Sequence, residues 1–124
     1  MSDARGVVFD VVGLDHRVTR ASQKKLAQLV KDHREVECSL KRDPENEYDE
    51  NAVKVYVDDP NFRAKKVHIG YLRRGTAKVL ASGMDAERLT VRHCYLIYID
   101  VEHGWGRVRV SFFKTPGNKP KFKT

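Results

Sequence analysis

The sequence predicts a mainly β domain of the α+β class, with six short strands and two helices. Segments in which apolar and polar residues alternate, typical of half-buried strands, recur along the chain. Two other segments carry apolar residues at helical spacing. With 124 residues, the chain has the length of one domain that buries a core without disulfides or a metal. Periodicity alone does not distinguish a sandwich from a barrel.

The first strand and the first helix occupy the N-terminal quarter. A short apolar run from Val7 to Val12 predicts a strand that ends at Gly13. The helix follows, capped by Thr19 or Ser22, and runs to about His33. Its apolar residues share one face, with Leu26, Leu29 and Val30 opposite Lys24, Gln28 and Lys31.

Three strands and the second helix form the middle of the chain. Apolar residues occupy every second position from Val36 to Leu40 and again from Val53 to Val57. A short strand from Val67 to Leu72 comes next. A helix is predicted from about Gly75 to Ser82, ending at Gly83, since glycine is the usual residue after a helix C-terminus.

The last third of the chain is predicted to be a β-hairpin. Its first strand places Leu89, Val91, His93, Tyr95, Ile97 and Ile99 on one face and Thr90, Arg92, Cys94, Leu96, Tyr98 and Asp100 on the other. Both faces carry apolar residues in the second half, so the strand is expected to pass from half-buried to fully buried. Residues 102–104, Glu-His-Gly, form the turn. The second strand points Val108, Val110 and Phe112 inward and Trp105, Arg107, Arg109 and Ser111 outward. Residues 114–124, with four lysines and no acid, form a basic tail after a domain of residues 1–113.

The charge favours an anionic partner such as nucleic acid. The formal net charge is +7, from 24 Lys and Arg against 17 Asp and Glu. Cys38 and Cys94 both lie in strand segments and are expected to be buried free thiols, which fits a reduced cytoplasm. The sequence shows no apolar run for a membrane span and no secretion signal, so we expect a cytoplasmic protein without a membrane partner.

The loop between the second and third strands is the most informative segment. It is longer than the two to five residues of an ordinary hairpin turn, and it carries Tyr48, which a solvated turn does not need. Long ordered loops on a rigid scaffold often hold binding residues. A different interpretation stays open, in which Asp43 and Asn46 only cap turns while Tyr48 packs the loop down.

Four segments together resemble one known family. Residues 42–55 read Arg-Asp-Pro-Glu-Asn-Glu-Tyr-Asp-Glu-Asn-Ala-Val-Lys-Val, which resembles the signature of the HIRAN domain family. Residues 11–14, 69–74 and 76–81 match further family elements in order. The resemblance covers about residues 7–100. It implies a small, partly open β-barrel related to the OB-fold, with one helix near the barrel mouth.

The resemblance also implies a site for single-stranded DNA. End-binding HIRAN domains hold a 3′ end. Carried over to this chain, Tyr48 would stack on the terminal base, Asp49 would accept a hydrogen bond from the 3′-hydroxyl, and Asn46 would brace the loop or contact the sugar. Tyr71 and Arg74 would lie near the phosphates. A carboxylate suits a terminal hydroxyl because the hydroxyl donates a hydrogen bond that a phosphate lacks.

The chain departs from the family pattern after the first strand. The end-binding pattern has a basic and then an aromatic residue there, whereas this chain has Asp15 and His16, followed by Arg17. Asp15 would repel a phosphate. His16 can stack on a base, although less strongly than tyrosine. Arg17 is the candidate to replace the basic residue.

The residues themselves also favour nucleic-acid binding. Single strands are held by basic grooves with aromatic platforms, for which Tyr48, Tyr71 and Trp105 are candidates. Arg73 and Arg74 begin a helix, where cations gain nothing from the helix dipole, so a phosphate partner would explain them. Alternatively, Tyr71 belongs to the core and Trp105 covers a barrel end.

Nothing in the sequence predicts catalysis, a cofactor or a small-molecule substrate. A Gly-rich phosphate loop, a Gly-x-Ser-x-Gly element and a His-Glu-x-x-His element are absent from the sequence. The acidic loop lacks the glycine of calcium loops, and the five histidines show no ligand spacing, so no metal site is expected.

Two functional classes remain open from the sequence. The leading interpretation is a non-enzymatic DNA-binding domain for single-stranded DNA, with 3′ ends as the suspected ligand. It would act in repair or replication, with a helicase or nuclease as a possible partner. General single-strand or duplex binding is a broader version of it. The alternative is a protein-interaction or structural module that keeps the HIRAN scaffold without an end-binding pocket.

Overall fold

The predicted elements are present in the computed structural model, which describes residues 6–33 and 35–114. The strands are β1 (Val7–Val12), β2 (Val36–Arg42), β3 (Val53–Val57), β4 (Val67–Leu72), β5 (Leu89–Asp100) and β6 (Trp105–Lys114). The helices are α1 (Arg20–His33) and α2 (Arg74–Asp85), and a 3₁₀ turn spans Leu14–His16. The predicted α+β, mainly β class is confirmed. Lys114, expected in the tail, ends β6, and residues 115–124 lie outside the described residues.

The six strands form one antiparallel barrel. Their order around it is β1, β4, β3, β2, β5 and β6, and β6 pairs with β1 to close the ring. The predicted OB-like barrel is therefore confirmed, with the correction that it is closed where a partly open one was expected. The β1–β4 seam is short, joining Val11 to Leu72 and Val12 to Tyr71.

The barrel interior holds the hydrophobic core. Fully buried valines from four strands meet there, namely Val11, Val36, Val53, Val55, Val108 and Val110. Leu96 and Ile69 are also fully buried. Each side chain of this size contributes about 1.5–3 kcal/mol on burial, so the alternating strands form the stable frame that carries the loops.

The helices pack against β2 and β5. Thr19 Oγ1 accepts a hydrogen bond from the Ser22 N–H at 3.1 Å, as the sequence predicts for a cap of α1. Leu26 anchors α1 in the core. Buried Ala77 and Leu80 anchor α2. No helix within residues 6–33 and 35–114 is long and apolar enough to cross a membrane.

The predicted end of α2 at Gly83 is wrong. The helix continues to Asp85, with Ala86 as its C-cap. Gly83 is buried, and a Cβ placed on it would lie 2.8 Å from Leu89 Cδ1. Close packing against the Leu89 side chain therefore favours glycine here, whereas Glu87 takes the left-handed conformation after the helix, with φ of 60°.

Two bulges interrupt the regular alternation predicted for β5. The register of β5 on β6 shifts between Val91 and His93 and again between Leu96 and Tyr98. A bulge moves the following side chains to the other face. Buried Cys94 and Leu96 consequently point into the core, although simple alternation placed them on the opposite face from Val91.

The two cysteines are buried free thiols, as predicted. They lie on the neighbouring strands β2 and β5. A hydrogen bond with the Cys94 thiol and burial raise the pKa of Cys38. Cys38 therefore stays protonated and unreactive at neutral pH.

The predicted turn after β5 contains a pH-sensitive pair. His103 Nδ1 lies 3.0 Å from Asp100 Oδ2, and this partner raises the pKa of His103 above 6.5. The folded state therefore binds the proton more tightly, so the stabilisation is complete below pH 6.5 and is lost as the pH rises through the folded pKa.

We expect His103→Gln to lower the melting temperature slightly at pH 5.5 and hardly at all at pH 8.5. The effect is small because the pair is exposed. His16→Gln, at an exposed histidine in the 3₁₀ turn, is the control. An equal loss at both pH values would contradict the pairing.

Candidate nucleic-acid interface

The loop between β2 and β3 is tied at its base by Arg42. Its guanidinium donates to the carbonyl oxygens of Ala52 at 2.7 Å and Glu50 at 2.9 Å. The same group donates to both carboxylate oxygens of Asp85 at the end of α2, at 2.8 and 3.1 Å. Asp43 N–H also donates to Ala52 O at 2.9 Å. The two ends of the loop are thereby held together and fixed to α2.

Asn46 shapes the loop from within. Its Oδ1 accepts the N–H groups of Tyr48 at 2.9 Å and Asp49 at 3.0 Å. Its Nδ2 donates to Asp43 Oδ2 at 3.1 Å and to the Tyr71 hydroxyl at 3.4 Å. Asn46 thus fixes the backbone at the two residues that were predicted to bind the ligand, and joins them to β4.

A pocket of about 290 Å³ lies under this loop. Eight residues line it. Five of them were implied by the resemblance, namely Tyr48, Asp49, Asn46, Tyr71 and Arg74. The other three are Val12, Ala52 and Leu72. The last three were not predicted from the sequence. They are apolar, and a charge or motif pattern does not indicate such lining residues.

The polar wall of the pocket is an ion pair. Arg74 Nε lies 3.6 Å from Asp49 Oδ2, and Arg74 Nη2 donates to Tyr48 O at 2.9 Å. Asp49 Oδ1 accepts the Asn51 N–H at 2.9 Å, which leaves Oδ2 turned to Arg74. The Arg74 side chain is 76% exposed and that of Asp49 20%. A negative and a positive group therefore lie side by side, open to a ligand.

Tyr48 projects from the loop into solvent. It is 82% exposed, so the interpretation that it packs the loop down does not fit. The interpretation that Asp43 and Asn46 hold turns does fit, because both make the hydrogen bonds of the loop. Asp43 and Asn46 therefore stabilise the loop conformation, whereas Tyr48 is exposed on it.

Arg73 lies away from the pocket. It forms an ion pair with Asp10 at 3.0 Å, and Asp10 also contacts Arg107 Nε at 3.4 Å. The Arg107 guanidinium lies over the half-buried Trp105 ring, 5.0 Å from its centroid, so Trp105 belongs to this neighbouring surface. Arg73 is also the N-cap of α2, which has no side-chain cap, so the partial positive charge at Arg74 is uncompensated.

His16 and Arg17 do not line the pocket, and both are exposed. Asp15, predicted to repel a phosphate, faces α1 instead. Its Oδ1 accepts a hydrogen bond from Gln23 Nε2 at 2.8 Å and contacts Arg20 Nε at 3.4 Å, and these partners lower its pKa. The carboxylate is therefore engaged by α1.

An aromatic cluster adjoins the pocket on the outside of the barrel. The His68 ring lies 4.9 Å from Tyr71, edge to face, and 5.3 Å from Tyr56, stacked. His68 and Tyr56 were not predicted from the sequence. Tyr56 shares the polar face of β3 with Lys54, which was an available signal, but the placement of His68 depends on a bulge that the sequence pattern does not reveal.

Within the described residues, no group of three or more His, Cys, Asp or Glu side chains is arranged to hold a metal ion. The polar groups of the pocket are instead suited to a ligand that carries both a hydrogen-bond donor and an anion.

The fold is similar to three solved structures. The crystal structure of the HIRAN domain of human HLTF has 22% sequence identity and a TM-score of 0.63, covering 91% of this chain and 78% of that one. A crystal structure of a Lactobacillus plantarum protein has 17% identity and a TM-score of 0.60, covering 87% and 92%. The NMR structure of the HLTF HIRAN domain in its DNA-bound conformation has 22% identity and a TM-score of 0.56, covering 95% and 86%.

Among curated proteins, none matches this chain. The sequence profile of the HIRAN domain, in contrast, matches residues 6–113, which include the signature loop, β4 and the first turn of α2. This range covers all six strands except the last residue of β6. The chain belongs to the HIRAN domain family.

Proposed function

We propose that this chain is a DNA-binding domain that holds the 3′ end of single-stranded DNA in the pocket under the β2–β3 loop. One observation carries the proposal. Tyr48 is 82% exposed on a loop that Arg42 and Asn46 hold in place, and it adjoins a paired carboxylate and guanidinium. An exposed aromatic ring beside these two charges matches the three parts of a terminal nucleotide.

Tyr48 supplies the surface for the base. Stacking of a base on an aromatic side chain contributes about 1–3 kcal/mol and tolerates any base, because every base has a π face. The ring needs no rearrangement of the loop, since the neighbouring backbone N–H groups are already bonded to Asn46. The binding energy is therefore not reduced by ordering the loop.

Asp49 contacts the sugar of the terminal nucleotide, and Arg74 contacts its phosphate. The Asp49 carboxylate accepts a hydrogen bond from a 3′-hydroxyl and repels a 3′-phosphate. Arg74 reaches the phosphate on the 5′ side of the terminal sugar, aided by the uncapped N-terminus of α2. Since the two groups are 3.6 Å apart, one terminal nucleotide can contact both.

The wider context supports nucleic acid as the partner. The chain carries a net charge of +7, and a structural neighbour is a HIRAN domain in its DNA-bound conformation. Free 3′ ends are substrates of helicases and nucleases in repair and replication. We therefore infer that the domain presents such ends to an enzyme of that kind and performs no catalysis itself.

Titration of labelled oligonucleotides with 3′-hydroxyl, 3′-phosphate and blocked 3′ ends tests the proposal. We expect the unmodified protein to prefer the 3′-hydroxyl. Tyr48→Ala should weaken all ligands by roughly 5- to 150-fold, the equivalent of 1–3 kcal/mol. Asp49→Asn should reduce the preference for hydroxyl over phosphate, because the asparagine still accepts the Asn51 N–H but no longer repels an anion.

Glu47→Gln is the matched control, because it removes the same charge from an exposed position two residues away in the loop. It should leave the preference unchanged. Affinity should also fall steeply with salt as counterions are released. Equal binding of 3′-hydroxyl and 3′-phosphate ends by the unmodified protein would rule out end recognition. Affinity that does not change with salt would rule out phosphate contacts by Arg74, and absence of binding at both low and physiological salt would rule out nucleic-acid binding.

A further inference from the structure

A bulge in β4 places His68 and Tyr71 on the same face of the sheet. Gly70 lies opposite Val55 and His68 lies opposite Tyr56, so Ile69 is the extra residue between them. In a regular strand, residues three apart point to opposite faces. Because of the bulge, His68 joins Tyr71 on the outside of the barrel while Ile69 remains fully buried. Bulges often redirect a side chain beside a functional site.

The redirected histidine links three rings into a row that starts in the pocket. Tyr71 lines the pocket, His68 lies against its edge, and Tyr56 stacks on the far side of His68, with centroid distances of 4.9 and 5.3 Å. The three side chains are each half-buried, so each keeps an accessible surface. His68 Nε2 lies 2.9 Å from Gly70 O, and this hydrogen bond fixes the ring orientation.

His68 contributes a neutral ring to this row. Burial, followed by the positive charges of Arg17 and Lys54, lowers its pKa below 6.5. At physiological pH the imidazole is therefore uncharged and can stack as an aromatic surface. The Gly70 carbonyl and the Asp43 carboxylate act in the opposite direction on this pKa. Lys54 is directly opposite Tyr71 in the β3–β4 ladder.

Within the described part of the chain, the two cations beside the row have no carboxylate partner. Among residues 6–33 and 35–114, no ion pair joins Arg17 or Lys54 to an acid. On the opposite side of the pocket, Arg73 and Arg107 both pair with Asp10. A phosphate chain leaving the pocket gains more on the side where the positive charges are unpaired.

We propose that Tyr71, His68 and Tyr56, with Lys54 and Arg17, form a second subsite that holds the nucleotides on the 5′ side of the terminal one. The strand leaves the pocket over β4 and β3, its bases contact the ring row, and its phosphates meet the two cations. This subsite rests on the proposed 3′-end pocket. It gives Arg17, which does not line the pocket, a role in binding the strand.

The competing explanation is that the rings only hold β3 to β4. Tyr56 and His68 are a directly opposed cross-strand pair, and such aromatic pairs stabilise a sheet by roughly 0.2–1 kcal/mol. Under that explanation, removing the rings lowers thermal stability and leaves DNA binding per folded molecule unchanged at every length.

The test compares thymidine 5′-monophosphate, which can fill only the terminal site, with an oligothymidylate of ten nucleotides; both carry a 3′-hydroxyl. The unmodified protein should bind the longer ligand at least about tenfold more tightly, since several base contacts are added. The double variant Tyr56→Ala/His68→Ala should lose most of that gain and bind the mononucleotide within about twofold of the unmodified protein. Tyr98→Ala, at an exposed tyrosine on β5 beside Trp105, is the matched control and should keep the gain.

A second double variant, Lys54→Gln/Arg17→Gln, leaves the rings in place. It should reduce the slope of log affinity against log salt concentration for the decanucleotide by about 1.4, because each phosphate contact on a single strand contributes about 0.7. This measurement remains informative if the ring variant unfolds. Melting curves of each variant establish the folded fraction.

The outcomes separate the two proposals. No length gain in the unmodified protein, or an equal loss of the gain in Tyr98→Ala, would overturn the second subsite while the 3′-hydroxyl preference stands. A length gain that disappears only in the ring and charge variants supports the subsite. If that occurs without any preference for a 3′-hydroxyl, the end pocket fails and the outer face alone binds the strand.

Discussion

Replacing Gly70 by alanine is expected to destabilise the protein by about 1–3 kcal/mol, the usual effect of overpacking a core. A Cβ at this position would lie 2.5 Å from Val12 O, 3.1 Å from Val11 Cγ1 and 3.2 Å from Leu14 Cδ1. The backbone oxygen of Val12 belongs to the short β1–β4 seam and cannot retreat without weakening it. Denaturant unfolding with an unchanged m value measures the loss. Val12 also lines the pocket, so affinity for DNA should fall as well.

Gly75→Ala is the matched control for this substitution. Gly75 lies in α2, and a Cβ placed on it has nothing within 4 Å. Alanine is favoured over glycine in helices by roughly 0.5–1 kcal/mol, so stability should stay the same or rise. A Gly70→Ala protein as stable as the unmodified one would show that β1 and β4 do not approach as closely as described.

Replacing Arg42 by alanine is expected to cost about 3 kcal/mol of stability and to abolish the pocket. The Arg42 side chain is only 13% exposed, and it donates to two loop carbonyls and to Asp85. Hydrogen bonds of charged groups contribute about 1.5–3 kcal/mol each, and their loss leaves the carbonyl groups of Glu50 and Ala52 without this donor. Chemical denaturation and oligonucleotide titration of the same sample measure both effects.

Lysine should not restore either property at this position. Its single ammonium group cannot reproduce the planar fork that reaches the loop and α2 at once. Lys41→Ala, on the exposed neighbour in β2, is the control and should change stability little. Full stability of Arg42→Ala, or full rescue by lysine, would contradict the role of Arg42 as the tie between loop and helix.

The regular strands were predictable because every second side chain of a strand is buried, and the sequence shows this as alternating apolar and polar residues. The valines of β3 and the inward residues Val108 and Val110 of β6 lie where the pattern placed them. The bulges in β4 and β5 were not predictable, because an extra residue leaves the composition of a strand unchanged. Their positions appear only in the register between paired strands, which the pattern within one strand does not contain.

The site was predictable for residues within one loop and less so across elements. The resemblance indicated Tyr48, Asp49 and Asn46 together, and the structure brings them together with Tyr71 and Arg74. Neighbours in sequence behaved differently. Arg73 adjoins Arg74 but turns to Asp10, and Asp15 adjoins His16 but turns to Gln23. Their partners lie on other elements, so only the folded chain determines where these charges act.

Different residues of the loop stabilise its backbone and are exposed on its surface, and this difference affects how the sequence can evolve. Arg42, Asp43 and Asn46 hold the backbone through hydrogen bonds to their neighbours, whereas Tyr48 is 82% exposed. Selection for a stable fold alone would retain the first group and let Tyr48 drift. In the proposed binding mode, a descendant of this domain could therefore lose its base contact in one substitution while keeping nearly the whole signature. In such a domain, the residue at position 48 is more informative about binding than the motif that surrounds it.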